Sequence, residues 1–184
     1  MFSQLFANGL IAGAIYALIA VGFSLIYSTC NFVHFAHGSV IAFSAYILYL
    51  LFVLLKFNFW FSLIAAIVFA AFFGLAVNVL IYKKFRQRKA SPVILLVVSF
   101  ALLILFESLI LLFFGADVKT IGYVKIAKGL EIAGAIITPL QIFIIFTSFL
   151  LFGLFLFFMK KTKMGKAIRA VSDNKQVAEI VGIS

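Results

Sequence analysis

Five long apolar runs limit this chain to very few folds. Residues 5–26, 39–55, 59–82, 93–114 and 140–159 each carry close to the roughly 20 apolar residues that a helix needs to cross the hydrocarbon of a bilayer. In lipid, every backbone amide and carbonyl must find its partner within the protein, so runs of this length form helices. The expected fold class is all-α, a polytopic transmembrane helical bundle with about five spans. The second run is the shortest and is expected to borrow residues from the polar stretch before it. Composition agrees, since 66% of the residues are hydrophobic, only 11% are charged and the mean hydropathy is +1.29, far outside the range of soluble domains. The first run has no basic leader and is too long for a signal sequence, so it is expected to remain as a span.

Charge gives the topology. Of the 15 Lys and Arg residues, five lie in residues 83–89 and five in residues 160–169, both directly beside apolar runs. Clusters so placed hold their membrane ends on the cytoplasmic side, so the net charge of +10 is a topology signal and no nucleic-acid partner is expected. The two spans between the clusters carry the chain out and back, which puts residues 115–138 outside. Counting backward places the N-terminus outside as well, provided residues 29–38 make an ordinary turn. In the outer loop Val124, Ile126, Leu130 and Ile132 alternate with other residues around Ala127, Lys128 and Gly129, the pattern of a small hairpin with a glycine turn. Cys30 is the only cysteine, which excludes an intrachain disulfide and a cysteine-rich metal site.

Residues 160–184 form the one long stretch that belongs in water. Past the basic cluster, Ile168 and Val171, then Val177, Ile180 and Val181, repeat at three and four, the apolar stripe of short amphipathic helices broken at residues 172–174. Asp173 is expected to cap the second helix, with Gln176 three residues on as in a capping box, and Gly182 to end it in the left-handed conformation. Cations are sparse from Val171 onward, so the stripe fits a protein groove better than an anionic lipid surface.

Within the spans, Gly9, Gly13, Ala17 and Ala20 form a small-residue face, and Ala66, Ala70 and Gly74 form another; both predict close helix packing. Glu107 lies well inside the fourth span, where a carboxylate must face the bundle interior, a partner or a water-filled path. Asn78, one turn from a basic loop, reads as structural. The stretch NFVHFAHG at residues 31–38 is the other polar feature. His34 and His37 sit three apart, as metal ligands on a helix can, but no third ligand is in view and no metal is expected. The stretch is better suited to satisfying backbone where a helix is broken or begins. Breaks of that kind are where transporters place substrate paths, so His34, His37, Gly38 and Glu107 are the candidate path residues. There is no GxxxxGK[ST] phosphate loop and no nucleophile with its base in recognisable order, so the chain is not read as an enzyme and needs no cofactor of its own. Energy for active transport would come from another subunit.

Three stretches carry a resemblance to a known family. These are NGLIAGAIYALIAVGFSLIY at residues 8–27, FAHGSVIAFSAY at residues 35–46, and TKMGKAIRAVS at residues 162–172 followed by Ala178 and Gly182. They make the chain similar, over its full length, to inner-membrane permeases of the branched-chain amino acid ABC transporter family, the LivH and LivM kind. The resemblance implies residues 1–184 as a single permease domain, the N-terminal part of a longer fold built from two related halves. It implies import of leucine, isoleucine, valine or related small amino acids or amides across a bacterial inner membrane. Its partners would be cytoplasmic ATPase subunits that use ATP, a second, homologous permease subunit and an outside solute-binding protein. By the same resemblance, residues 160–184 are the loop that docks on the ATPase, with Gly165, Arg169, Ala170, Asp173, Ala178 and Gly182 at the matching positions. Family members more often carry asparagine at the position of His34 and usually continue into further spans. The contrasting expectations are a nontransporting membrane scaffold that recruits a cytoplasmic partner, and a truncated, inactive permease.

Overall fold

In a computed structural model, residues 2–123, 129–132 and 134–182 are described. Five helices are long and apolar enough to cross a membrane, as the hydropathy predicts. They are α1 (Phe2–Cys30), α2 (Ala36–Tyr49, continued by a π-helical turn, Leu50–Leu54), α3 (Phe59–Val77, continued by a second π-helical turn, Asn78–Tyr82), α5 (Pro92–Phe114) and α6 (Pro139–Lys161). Short helices α4 (Lys83–Gln87), α7 (Lys163–Asp173) and α8 (Lys175–Ile180) and a hairpin of β1 (Leu130–Ile132) and β2 (Ala135–Ile137) complete the described chain.

Most boundaries follow local chemistry. Asn58 caps α3 by accepting the Trp60 amide (2.9 Å), and Ser91 caps α5 with Pro92 in its first turn. Thr138 and Gln141 form a reciprocal capping box at the start of α6, with Pro139 beside it. Asn31 ends α1 at φ 54, a left-handed conformation that asparagine tolerates. The second span begins at Ala36 and so does take in the end of the polar stretch. Its start is the exception to local capping, because Phe35 at the cap position makes no side-chain cap bond.

The sequence suggests one permease domain, and the chain groups into two compact units, Phe32–Tyr123 and Met1–Asn31 with Val124–Ser184. In the unit Phe32–Tyr123, α2 packs against both α3 and α5. Leu95, Ser99, Leu102, Phe106 and Ile110 line the buried face of α5, while Ser62, Ala66 and Val77 are buried on α3. Of the small-residue face expected at Ala66, Ala70 and Gly74, only Ala66 is buried, and a Cβ added at Gly74 would meet nothing within 4 Å. Phe43, Phe73 and Phe106 meet in an aromatic cluster with centroids 4.9 to 6.0 Å apart. Contacts of Ala36 with Ser99 and of Phe43 with Phe106 show α2 and α5 running in parallel, as the second and fourth spans of an alternating topology must. Asn78 accepts from Arg86 Nη2 (2.5 Å), the structural role expected for it.

In the other unit, α1 and α6 also run in parallel. Near their starts, Gln4 clamps β2: the Ile136 amide donates to Gln4 Oε1 (2.7 Å) and Gln4 Nε2 donates to the Ile136 carbonyl (3.1 Å). Beyond their ends, Ser172 Oγ of α7 donates to the Ser28 carbonyl of α1 (3.0 Å). A hairpin is present in this loop, with Leu130–Ile132 paired to Ala135–Ile137 and Gly134 (φ 75) in its turn; the turn expected at residues 127–129 lies largely outside the described residues. Gly134 takes the left-handed conformation that such a turn needs. Val124, Ile126, Ala127 and Lys128 lie outside the described residues. The small-residue face of α1 does not achieve the close packing predicted for it. Gly9, Gly13 and Ala17 instead line an apolar cavity of about 330 Å³ with Ser148, Phe149 and Phe152 of α6, and a Cβ added at Gly9 or Gly13 would meet nothing within 4 Å.

Candidate functional site

Two regions concentrate the polar chemistry. The first is the start of α2. A helix start leaves amides that need acceptors, and Phe35 offers no side-chain oxygen. The amides of His37 and Gly38 donate to the carbonyls of His34 (3.2 Å) and Phe35 (3.3 Å). The Ala36 amide donates across the unit to Ser99 Oγ of α5 (3.0 Å). The Tyr82 hydroxyl, at the end of the third span, lies 2.8 Å from His34 Nδ1. Phe32 is buried against the Tyr82 and His34 rings, with centroids at 5.2 and 5.9 Å. Burial, reinforced by the neighbouring His37, lowers the pKa of His34 from the usual 6.5 to about 4, so the ring is neutral at neutral pH. Either neutral tautomer completes the bond to Tyr82, with Tyr82 as donor or as acceptor.

The structure thus brings His34 and His37 together, with ring centroids 6.5 Å apart and Gly38 exposed beside them. Glu107 does not join this group. It lies eight residues beyond Ser99 on α5, about 12 Å along the helix axis. Its side chain is exposed on this chain, and among the described residues no hydrogen bond or ion pair to it is found. The core of its own unit, Phe32–Tyr123, does not enclose it. A partner or a water-filled path remains, because a carboxylate facing lipid costs about 3 kcal/mol on insertion scales. Ser99 and Tyr82 are missing from the sequence reading. The available signals are a lone serine on the apolar face of α5 and a tyrosine closing the third span before its basic cluster.

The second region is α7 and α8, which follow α6 with one residue, Thr162, between helices. Thr162 Oγ1 accepts the Gly165 amide (3.0 Å), so α7 turns back sharply and packs on the end of α6. Gly165 is buried in that elbow. Arg169 and Asp173 are exposed, and Ala170 is half-buried. The break at residues 172–174 is present, but its cap is Asn174 and not Asp173: Asn174 Oδ1 accepts the amides of Gln176 (3.0 Å) and Val177 (3.1 Å). Asp173 is still helical, whereas Asn174 has the extended backbone (φ −157, ψ 106) that a cap residue adopts. Gly182 has φ 86, the left-handed end expected of it. Ala178 is buried within this chain. Val177, Ile180 and Val181 are exposed.

Five apolar helices whose apolar side chains largely face outward define a multi-pass helical membrane protein. The family described as branched-chain amino acid transport system, permease component, matches residues 5–184. The chain belongs to that family. It is similar to the high-affinity branched-chain amino acid transport system permease protein LivH of Salmonella typhimurium and to LivH of Escherichia coli K12, at 26% identity to each, and to BraD of Pseudomonas aeruginosa at 27%. Each alignment covers 100% of this chain and 63% of the relative, so the chain spans less than two thirds of the length of these permeases. No solved structure matches it.

Proposed function

We propose that this chain is the membrane-spanning permease part of an ABC importer that moves branched-chain amino acids, or related small amino acids or amides, across a bacterial inner membrane. Separate cytoplasmic ATPase subunits supply the energy. A homologous permease subunit completes the path, and an outside solute-binding protein delivers the solute. The observation that carries this reading is the α7–α8 pair: it hangs from the last span through a single residue and leaves an apolar stripe uncovered at Val177, Ile180 and Val181. A chain without a nucleotide site receives force through a contact, and this pair can pass movement to α6 with little slack. Uptake of labelled amino acids by the complex reconstituted with its ATPase tests the proposal. Permease that copurifies no ATPase and supports no uptake would make it a scaffold.

Orientation gives one prediction. With residues 83–89 and 160–182 cytoplasmic, a membrane-impermeant thiol reagent applied outside should label a cysteine at Val118 and miss one at Lys89, in a Cys30→Ser background. Labelling in the reverse order would invert the topology. A second prediction concerns Glu107, which on this reading faces the solute path or the partner permease. Glu107→Gln is expected to insert normally and to lower uptake about tenfold, the loss of roughly one charged hydrogen bond. Wild-type uptake in that variant would make Glu107 dispensable to transport.

A further inference from the structure

We propose that Ser99 and Tyr82 are positioning residues of the permease, holding the first turn of α2, with His37 and Gly38, in register with α3 and α5. The inference rests on the permease reading above. Its basis is two long-range hydrogen bonds that meet at one helix start. The Ala36 amide reaches Ser99 Oγ of α5 at 3.0 Å, and the Tyr82 hydroxyl at the end of the third span meets His34 Nδ1 at 2.8 Å. His34 stands two residues before Ala36 in the chain, so the two bonds hold the same turn. Ala36, Tyr82 and Ser99 are all buried, where a lost hydrogen bond is costly.

Tyr82 meets His34 from the π-helical turn at Asn78–Tyr82. Val77 and Tyr82 are both buried although they are five residues apart. In an α-helix that spacing would turn them about 140° from each other, whereas an i to i+5 turn brings them to one face. Three segments therefore share one latch: the link before α2, the end of the third span and the inner face of α5. Helix α2 has no local cap, so the turn bearing His37 and Gly38 is held from α5 across a separation of 63 residues.

The test uses the permease with its ATPase subunits in proteoliposomes, with amide exchange measured on the same protein. Ser99→Ala and Tyr82→Phe are expected to lower maximal uptake about tenfold, with an assembled complex and little change in half-saturating solute. His34→Asn, whose amide can still meet Tyr82, should stay within about threefold of wild type, while His34→Leu should fall with Tyr82→Phe. Exchange at the Ala36 amide should quicken about tenfold in Ser99→Ala, with amides in the second half of α5 unchanged. Wild-type uptake in both Ser99→Ala and Tyr82→Phe would overturn the proposal, as would equal loss in His34→Asn and His34→Leu. If the wild-type complex takes up no amino acid, the permease reading falls by itself. Unchanged exchange at Ala36 in Ser99→Ala would then still refute the latch.

Discussion

Replacing Gly165 with valine is expected to undo the elbow between α6 and α7 and, on the proposed function, to abolish binding of an ATPase partner, while leaving the five spans inserted. A Cβ at this position would lie 2.6 Å from Met159 Cα and 2.7 Å from the Met159 carbonyl oxygen, and closer still to the Phe158 carbonyl oxygen. These are backbone atoms of the last turns of α6, so none can swing aside as a side-chain tip would. Either α7 lifts away or the end of α6 unwinds, a distortion that costs about 3 kcal/mol by comparison with overpacked cores. Lifting α7 also pulls the Gly165 amide from Thr162 Oγ1 and the Ser172 hydroxyl from the Ser28 carbonyl. Limited proteolysis at the basic residues 160–166 should then become fast, and copurification of the ATPase should be lost. Lys166→Ala, at an exposed neighbour, should do neither. A Gly165→Val protein that resists protease and retains its ATPase would show that the elbow tolerates a side chain and that close approach is not what fixes α7.

The second large effect is expected at Ile180. This side chain is 85% exposed, with Val181 at 73% and Val177 at 54%, on a short helix beyond the last span. Apolar exposure within the spans is answered by lipid; on α8 it needs a protein groove or the bilayer surface. Ile180→Asp alters no packed contact, so the fold should be unaffected. Loss of an apolar anchor from a docking groove costs about 2 kcal/mol, or roughly thirtyfold in affinity. Copurification and titration of the ATPase against the variant would measure it. If the stripe only rests on lipid, five spans still hold the protein in the membrane and ATPase affinity will not change. Bulky replacements at Gly182 are less informative, because its φ of 86 strains any side chain whether or not a partner is bound. Ala178 is likewise unsuitable: at 3% exposure, a larger residue there would disturb α8 itself. Lys160 and Lys161, in the last turn of α6, should matter less to docking, since they suit the negative end of that helix and, on the proposed topology, serve to orient it.

What the amino-acid sequence determined by itself are features whose causes lie within a few residues. Hydropathy set the number of spans, because lipid admits only helices that satisfy their own backbone. Asn58, Ser91 and Thr138 started three of them, since a cap oxygen serves an amide two or three positions on. The break within residues 172–174 and the left-handed Gly182 were legible for the same reason, although the cap moved by one residue, to Asn174, when the last turn of α7 stayed closed. The polar stretch at residues 31–38 could be read as a helix break, but not what satisfies it. That was decided by tertiary structure: Ser99 stands 63 residues from the amide it accepts and Tyr82 stands 48 from His34, and only the meeting of α2, α3 and α5 brings them within 3.0 Å. The π-helical turn that aims Tyr82, the burial of Ala178 and the exposure of Glu107 are of the same kind. Each depends on which face of a helix finds a neighbour, and in spans apolar on every side the sequence carries no amphipathic stripe to mark that face.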